Sequence, residues 1–270
     1  MSDLHLKQFV SRHSALVVTG GSSGIGKCFI EQSLNVDHNF PICNLSRSRP
    51  ELEMEAHALT HHAVDLAQPL PTDQIRRWVE DFLAKVPNKG PVTLINNSGV
   101  GAYGKFDDID IDRQIKMIQL NVSAVVHLSA LLLPIIKDRG GSIINIASTA
   151  AFQPTPELTT YGATKSFLLN WSLALNEDLR GSKAKVLCVC PGPTATNFFK
   201  AAGFHQSPVP NWAGQTSDQV VDATMQAWAK QRSLVISGVS NKLLVMAGAC
   251  FPRTWLAHLS GRVLRSIRRQ

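Results

Sequence analysis

Tyr161 and Lys165 stand four residues apart in Tyr161-Gly162-Ala163-Thr164-Lys165, a spacing that puts both side chains on one face of a helix. A phenol ionises at about pH 10 and is a poor acid at neutrality. An ammonium group beside it favours the phenolate and lowers that value. Such a pair can hand a proton to a carbonyl oxygen or take one from an alcohol. The same spacing also occurs on exposed helices that do no chemistry, so the pair takes its meaning from its surroundings. Ser148 lies thirteen residues upstream, at the C-terminal end of an apolar strand, where open α/β sheets bind ligands. A glycine-rich loop stands near the N-terminus.

Ala15-Leu16-Val17-Val18-Thr19 has the character of a short buried strand. Gly20-Gly21-Ser22-Ser23-Gly24-Ile25-Gly26 follows, and a helical pattern runs from Lys27 to about Asn35. Strand, glycine turn and helix form a phosphate-binding arrangement. Glycines admit the pyrophosphate to the backbone, and the helix start offers free N–H groups and a positive dipole end. The spacing is T-G-x-x-x-G-x-G, with Gly20, Gly24 and Gly26, rather than G-x-G-x-x-G. Phe40 to Ser46 is the predicted second strand. In dinucleotide folds an acid near its end binds the ribose 2′-hydroxyl, whereas an arginine suits a 2′-phosphate. Here the end reads Ser46-Arg47-Ser48-Arg49, with no acid before Glu51. The phosphate reading is preferred over a solvated basic turn.

His61 to Leu66 is the predicted third strand and its exit. Asp65 is placed to accept from an adenine amino group or to cap the next element. His61 and His62 face opposite sides of a strand, which predicts a surface pair rather than a metal site. Thr72 to about Val86 repeats apolar residues at helical spacing. Val92 to Asn97 is the fourth strand, and Ser98-Gly99 turns its backbone against a ligand. Ile111 to about Ile136 is a long helix carrying Asn121, an interior asparagine that is costly unless its amide is used. Gly140-Gly141 ends it. Ser142 to Ala147 and Lys185 to Cys190 are the fifth and sixth strands, and Pro191-Gly192-Pro193-Thr194 stops the latter. Thr194 to Thr216 shows no clear element but holds Phe198, Phe199, Phe204 and Trp212, as an active-site lid would. A helix from Ser217 to about Lys230 and a strand from Leu234 to Gly238 follow. Val100, Phe152 and the Thr194 to Thr216 loop are the predicted walls of a substrate pocket.

The 270 residues suit one α/β domain with a sizeable core. Hydrophobic residues make up 44% and charged residues 17%, an ordinary soluble balance. Five cysteines, an odd number without zinc spacing, predict free thiols in a reducing, cytoplasmic compartment. Cys188 and Cys190 are expected to face the same way on a strand. Met1 to Ser14 has charges and no apolar core like that of a signal peptide. No uninterrupted apolar run approaches membrane-spanning length.

The net charge is +7. Residues 242–270 hold six basic residues (Lys242, Arg253, Arg262, Arg265, Arg268 and Arg269) and no acidic one. Taking those six from the 27 basic residues leaves 21 against 20 acidic ones, so the body is nearly neutral. That distribution argues against a nucleic-acid surface over the whole protein.

These motifs, in this order, resemble the short-chain dehydrogenase/reductase family over roughly Ser14 to Gly238. Thr19 to Gly26 matches the glycine motif, and Asp65 the adenine-side aspartate. Asn96-Asn97-Ser98-Gly99 matches N-N-A-G with serine for alanine. Asn121, Ser148, Tyr161 and Lys165 match the catalytic tetrad. Pro191, Gly192 and Thr194 match the segment that contacts the nicotinamide carboxamide. The resemblance implies a Rossmann-type, doubly wound, seven-stranded parallel sheet with helices on both faces. It also implies hydride transfer between a nicotinamide cofactor and a carbonyl or alcohol. In that scheme Tyr161 is the general acid or base, and Lys165 lowers its pKa and binds the nicotinamide ribose. Ser148 hydrogen-bonds the substrate oxygen, and Asn121 holds a water in a proton relay. The cofactor-binding set is Gly20, Ser22, Ser23, Gly24, Ile25, Gly26, Arg47, Asp65, Leu66, Asn97, Gly99, Tyr161, Lys165, Pro191, Gly192 and Thr194. Arg47 resembles the members that prefer NADP(H) to NAD(H), although Ser23 stands where many of those carry a basic residue. A reduced cofactor pool favours carbonyl reduction of a hydrophobic small molecule, and the family's habit implies a homodimer or homotetramer.

Residues 1–241 are read as the catalytic domain and 242–270 as an extension. Leu243 to Phe251 is apolar, and Pro252 breaks the run. Trp255, Leu256, Leu259, Val263 and Ile267 then fall along one side of a helix, with Arg262, Arg265 and Arg269 toward another. The extension therefore packs on this chain beside the substrate entrance or on a second subunit, or contacts a membrane peripherally. Two rival functions follow: a silent NADP(H)-binding sensor or scaffold, and a membrane-peripheral binding protein.

Overall fold

The computed structural model describes residues 2–53, 57–204 and 214–268, with the side chains of residues 2, 3 and 266–268 left undescribed. Seven strands form one sheet in the order β3-β2-β1-β4-β5-β6-β7. They are β1 Ala15–Thr19, β2 Ile42–Ser46, β3 Leu59–Ala63, β4 Val92–Asn96, β5 Gly141–Ile146, β6 Ala184–Cys190 and β7 Leu234–Ile236. Every pairing is parallel. The helices are α1 Ser2–Arg12, α2 Gly24–Val36, α3 Thr72–Ala84, α4 Ile111–Ile118, α5 Ala124–Arg139, α6 Thr159–Asp178, α7 Phe198–Ala202, α8 Ser217–Ala229, α9 Val239–Ala249 and α10 Arg253–Arg268. This is the doubly wound α/β architecture that the alternating pattern predicts.

The central strands β1, β4, β5 and β6 are largely apolar because helices cover both faces of the sheet, whereas β3 at the edge carries Thr60, His61 and His62 and is only partly buried. Leu16 and Val18 of β1 point into one core, with Phe29, Ile30 and Trp228 from α2 and α8. Ala15 and Val17 point into the other, with Ile75 and Val79 of α3 and Leu128 and Leu132 of α5. Strand order reverses between β1 and β4, so the carboxyl ends of these neighbours diverge and leave a crevice there.

Two elements differ from expectation. β3 begins at Leu59 and ends at Ala63, with Leu59 and Thr60 pairing with Ile42 and Cys43. Asp65 therefore falls in the exit turn, where its carboxylate accepts from the Ala67 N–H at 3.0 Å. The long helix is interrupted at Gln119–Ser123 by a π-helical turn that holds Asn121. Helix Ile111–Arg139 is long and apolar enough to cross a membrane, although no uninterrupted run signalled it. Leu128, Leu132 and Ile136 of this helix are buried against the sheet, while Ile111, Ile115 and Ile118 are exposed. At the C-terminal side, Gly238 adopts φ 84° and caps α9, which starts at Val239.

α1 has no counterpart in the sequence reading. Leu6, Phe9 and Val10 bury its inner face against α2 and α8. His13 closes the helix, stacked on Phe9 at 4.1 Å and edge-on to Trp228 at 5.2 Å. Burial pulls its pKa down to about 4, against a hydrogen bond to the Phe9 carbonyl that opposes the fall. The native state thus holds a neutral imidazole, while the unfolded chain takes up a proton below about pH 6.5. The associated stability is complete above pH 6.5 and is lost as pH falls toward 4. At about 1.4 kcal/mol per unit the loss approaches 3 kcal/mol. Denaturant titrations at pH 7 and pH 4.5 should show a smaller acid loss for His13→Leu than for the native chain; equal losses would exclude His13 as a source.

Candidate active site

β1 delivers the chain into the crevice at Gly20. Gly20 and Gly24 take φ 66° and 56°, a region glycine enters without strain. A Cβ at Gly26 would lie 2.6 Å from the Gly20 carbonyl and would also strike the Asn97 amide. Two asparagines brace this loop from below. Asn97 Nδ2 donates to the Thr19 and Gly20 carbonyls at 3.0 and 3.1 Å. Buried Asn44 on β2 accepts from the Gly21 N–H at 3.0 Å and donates to Ser46 Oγ. Thr19 Oγ1 accepts from the Asn97 and Ser98 N–H groups, tying β4 to β1. Ser23 makes no side-chain capping bond, so the first N–H groups of α2 remain available to an anion.

The second half is built from β5, α6 and the π-helical turn. Ser148 follows β5 and caps a 3-10 turn at Thr149–Phe152 by accepting from the Ala150 N–H. Tyr161 and Lys165 lie one turn apart on α6, both buried. Lys165 Nζ donates to the Ile146 carbonyl at 2.8 Å and stands 5.8 Å from the Tyr161 ring centroid. The absence of a side chain at Gly99 permits this approach: a Cβ there would sit 3.3 Å from Lys165 Nζ and 3.4 Å from Asn121 Oδ1. Asn121 uses its whole amide locally. Its two N–H groups serve the Val100 carbonyl and Thr164 Oγ1, and its oxygen accepts from the Val100 N–H. It joins the Gly99–Val100 turn to α6.

Electrostatics differ from the expectation for an ammonium beside a phenol. Burial pushes the Tyr161 phenol up to about 12, with the Ser148 hydroxyl acting in the opposite direction. Burial likewise pulls Lys165 down to about 8. Loss of water dominates both groups, and the Lys165 ammonium is turned to a carbonyl rather than to the phenol oxygen. At neutral pH the tyrosine is therefore a protonated donor.

One cavity of about 1260 Å³ runs from the glycine loop to Tyr161. The predicted residues Gly20, Ser22, Ser23, Gly24 and Ile25 line it, as do Arg47, Asp65, Leu66, Asn97 and Gly99. Ser148, Tyr161, Lys165, Pro191, Gly192 and Thr194 complete the predicted wall. Gly26 and Asn121 stand behind it and shape it. Val100, Phe198, Phe199 and Phe204 line the cavity as the predicted lid, with Phe198 and Phe199 on the short helix α7. Trp212 lies outside the described residues. Phe152 is not a wall; it packs on the core around Leu168 and Cys188. His61 and His62 diverge, His61 meeting Asn44 and His62 stacking on Trp78 at 4.5 Å. Cys188 and Cys190 share a side, their sulfurs 3.9 Å apart.

Arg113 lines the cavity without any sequence signal, whereas the extension reaches it at one of the places its apolar pattern allowed. Arg113 closes one rim by donating to the Ala201 carbonyl at 2.9 Å. Leu244, Leu256 and Leu259 of α9 and α10 form the far wall. Tyr103 Oη donates to the Leu264 carbonyl at 2.7 Å, and Ser260 Oγ to the Pro154 carbonyl at 2.9 Å. The extension thus packs on its own chain at the cavity mouth. Ile267 and Arg268 have undescribed side chains, and Arg269 is outside the described residues.

The sequence profile of the family described as short chain dehydrogenase matches residues 14–206. The chain belongs to this family. Among short chain dehydrogenases it is 32% identical over 197 residues to the very-long-chain 3-oxoacyl-CoA reductase of Homo sapiens, covering 68% of this chain and 60% of that protein. It is 28% identical over 196 residues to the 3-oxoacyl-[acyl-carrier-protein] reductase FabG of Chlamydia trachomatis, covering 68% and 75%. A short-chain dehydrogenase from Sphingobium yanoikuyae, solved with NADPH, superposes with a TM-score of 0.71 at 26% identity, over 87% of this chain and 92% of that one. The cradle in this short chain dehydrogenase fits a nicotinamide dinucleotide. Glycines stand where a Cβ would fill the loop, α2 presents unused N–H groups, and Arg47 lines the crevice.

Proposed function

We propose that the protein is an NADP(H)-dependent oxidoreductase that reduces the ketone or aldehyde of a hydrophobic small molecule to the alcohol. The observation that carries this reading is the convergence of Ser148, Tyr161 and Lys165 in the cavity that begins at the glycine loop. A bound nicotinamide supplies the hydride. The remaining events fall to the chain. Ser148 hydrogen-bonds the carbonyl oxygen and stabilises the charge that develops there. Tyr161, held protonated by burial, donates its proton to that oxygen. Lys165 holds positive charge beside the phenolate that remains and binds the nicotinamide ribose. Asn121 acts as a positioning residue, since its amide fixes the Gly99–Val100 turn against α6. The same groups run the oxidation of an alcohol in reverse.

The substrate is apolar. Phe198, Phe199, Phe204, Leu256 and Leu259 line the outer cavity. The 3-oxoacyl reductases among the relatives support a carbonyl on an acyl chain. A screen of medium- and long-chain ketones and aldehydes, following NADPH absorbance, tests this directly. Absence of turnover with every carbonyl, in protein that binds NADPH, would favour the sensor reading instead.

NADP(H) is preferred over NAD(H) because Arg47 lines the crevice, is exposed, and has no hydrogen-bond or ion-pair partner among the described residues. Arg47→Asp exchanges a 2′-phosphate partner for a 2′-hydroxyl acceptor. Charge-assisted bonds are worth about 1.5–3 kcal/mol, so the ratio of NADPH to NADH affinity should fall at least about tenfold. Native protein that binds both cofactors equally would remove Arg47 from this role. The functional unit is a homodimer or homotetramer. Ile111, Ile115 and Ile118 on α4 and Phe167 on α6 are exposed apolar groups on the long helices, as subunit pairing requires. A monomer in light scattering would contradict that. The compartment is cytoplasmic, consistent with four buried free thiols, and fractionation of cells would check it.

A further inference from the structure

α9 and α10 wall the cavity with one face and turn a different one to solvent. On the inner side Leu256 is buried, and the Ser260 and Tyr103 hydrogen bonds hold α10 across the mouth. On the outer side Leu243 and Met246 of α9 are 60% and 57% exposed, Phe251 in the turn 55%, and Trp255 of α10 66%. Clustered exposure of large apolar groups marks an interaction surface. Leu244 and Leu259 are exposed on these same helices and also line the cavity. The apolar surface and the cavity mouth are therefore continuous.

Charge selects the occupant. Lys242, Arg253, Arg262 and Arg265 are all exposed on these helices. No acid occurs anywhere in residues 242–270. Trp255, Leu259 and Arg262 stand at i, i+4 and i+7, so indole, aliphatic and guanidinium groups share one face. A second copy meeting this face with its own would set like charges together without a compensating acid. An anionic bilayer satisfies both properties at once, with apolar depth for the leucines, a boundary for tryptophan and headgroups for the cations. We propose that this face docks on an anionic lipid surface and opens the cavity mouth toward it, so that the substrate is a lipid-borne, long-chain carbonyl compound. Docking stands on the surface itself; the substrate class rests on the carbonyl-reductase assignment.

Cys250 is the one exposed cysteine of the five. A polarity-sensitive fluorophore on its thiol reports this face in the full chain. With phosphatidylcholine vesicles containing phosphatidylglycerol, a blue shift and co-flotation are expected; with phosphatidylcholine alone, neither. A basic residue near such a surface is worth about fivefold in partitioning. Exchanging Lys242, Arg253, Arg262 and Arg265 together for Gln should then weaken partitioning by about a hundredfold or more. Leu243→Ser, Met246→Ser and Trp255→Ser in combination should weaken it as well. Both variants should reduce a long-chain ketone dissolved in anionic vesicles more slowly, and a short water-soluble ketone at the native rate. The proposal is overturned if native protein ignores anionic vesicles, or if neither set of changes alters flotation. It is also overturned if the serine variant falls to a smaller oligomer in light scattering, which would assign the face to a second copy. Vesicle binding without turnover of any carbonyl would leave docking in place and remove the reductase assignment.

Discussion

Tyr161→Phe is expected to lower turnover by about 10²–10⁴-fold while leaving NADPH affinity close to native. The change removes one hydroxyl and keeps the ring. That ring is buried beside Ala102 and Met117 and packs against Phe198 at 5.1 Å, so its apolar contacts survive. Steady-state rates with a responsive ketone, paired with a cofactor fluorescence titration, separate the two effects. Near-native turnover would take Tyr161 out of proton transfer. Lys165→Ala should impair both measurements, because one ammonium is assigned to the phenolate and to the ribose. The pH profile carries the same logic. Tyr161 stays protonated through neutrality, whereas Lys165 is charged below about pH 8 and neutral above it. If the ammonium is required, kcat/KM for reduction should fall as pH rises through about 8. A profile flat to pH 10 or so would exclude Lys165 as an electrostatic partner.

Gly141→Ala should destabilise the whole domain by more than about 4 kcal/mol, enough to prevent accumulation of folded protein. Gly141 opens β5 at φ 126°, and a Cβ there would collide with the Val92 carbonyl of the adjoining strand. Neither backbone can yield, because Val92 pairs with Gly141 in the ladder and both neighbouring strands are buried. Gly181→Ala is the control. Gly181 also has a positive φ, 83°, but nothing lies within 4 Å of its would-be Cβ. Its cost should be only that of left-handed backbone, about 1–2 kcal/mol. Chemical denaturation of the two variants distinguishes collision from strain. Equal midpoints would show that the close approach of β4 and β5 does not restrict position 141.

Much of the architecture was written locally. A buried strand between covered faces must be apolar throughout, so β1, β4 and β6 stood out as runs. The glycine turn could be recognised because strand and helix flank it, and Tyr161 and Lys165 because helical periodicity aligns them. The bounds of β3 are not legible locally, because His61 and His62 carry no burial pattern and pairing with β2 sets its register. α1 is not legible locally either, because three apolar residues in a charged segment mean little until α2 and α8 stand beside them.

Ser148 and the Tyr161–Lys165 pair are legible in the sequence as residue types at particular spacings, because helical and strand periodicity are local. The ionisation of the tyrosine and lysine is set by the fold. Burial depends on every neighbour at once, and here it outweighs the single Lys165–Tyr161 pairing that spacing suggested. The same holds for the extension. Its apolar and basic pattern identified an amphipathic helix, which fixes two faces but no partner for either. The bonds from Tyr103 and Ser260, made across more than a hundred residues of chain, assign one face to the cavity mouth and leave the other turned outward.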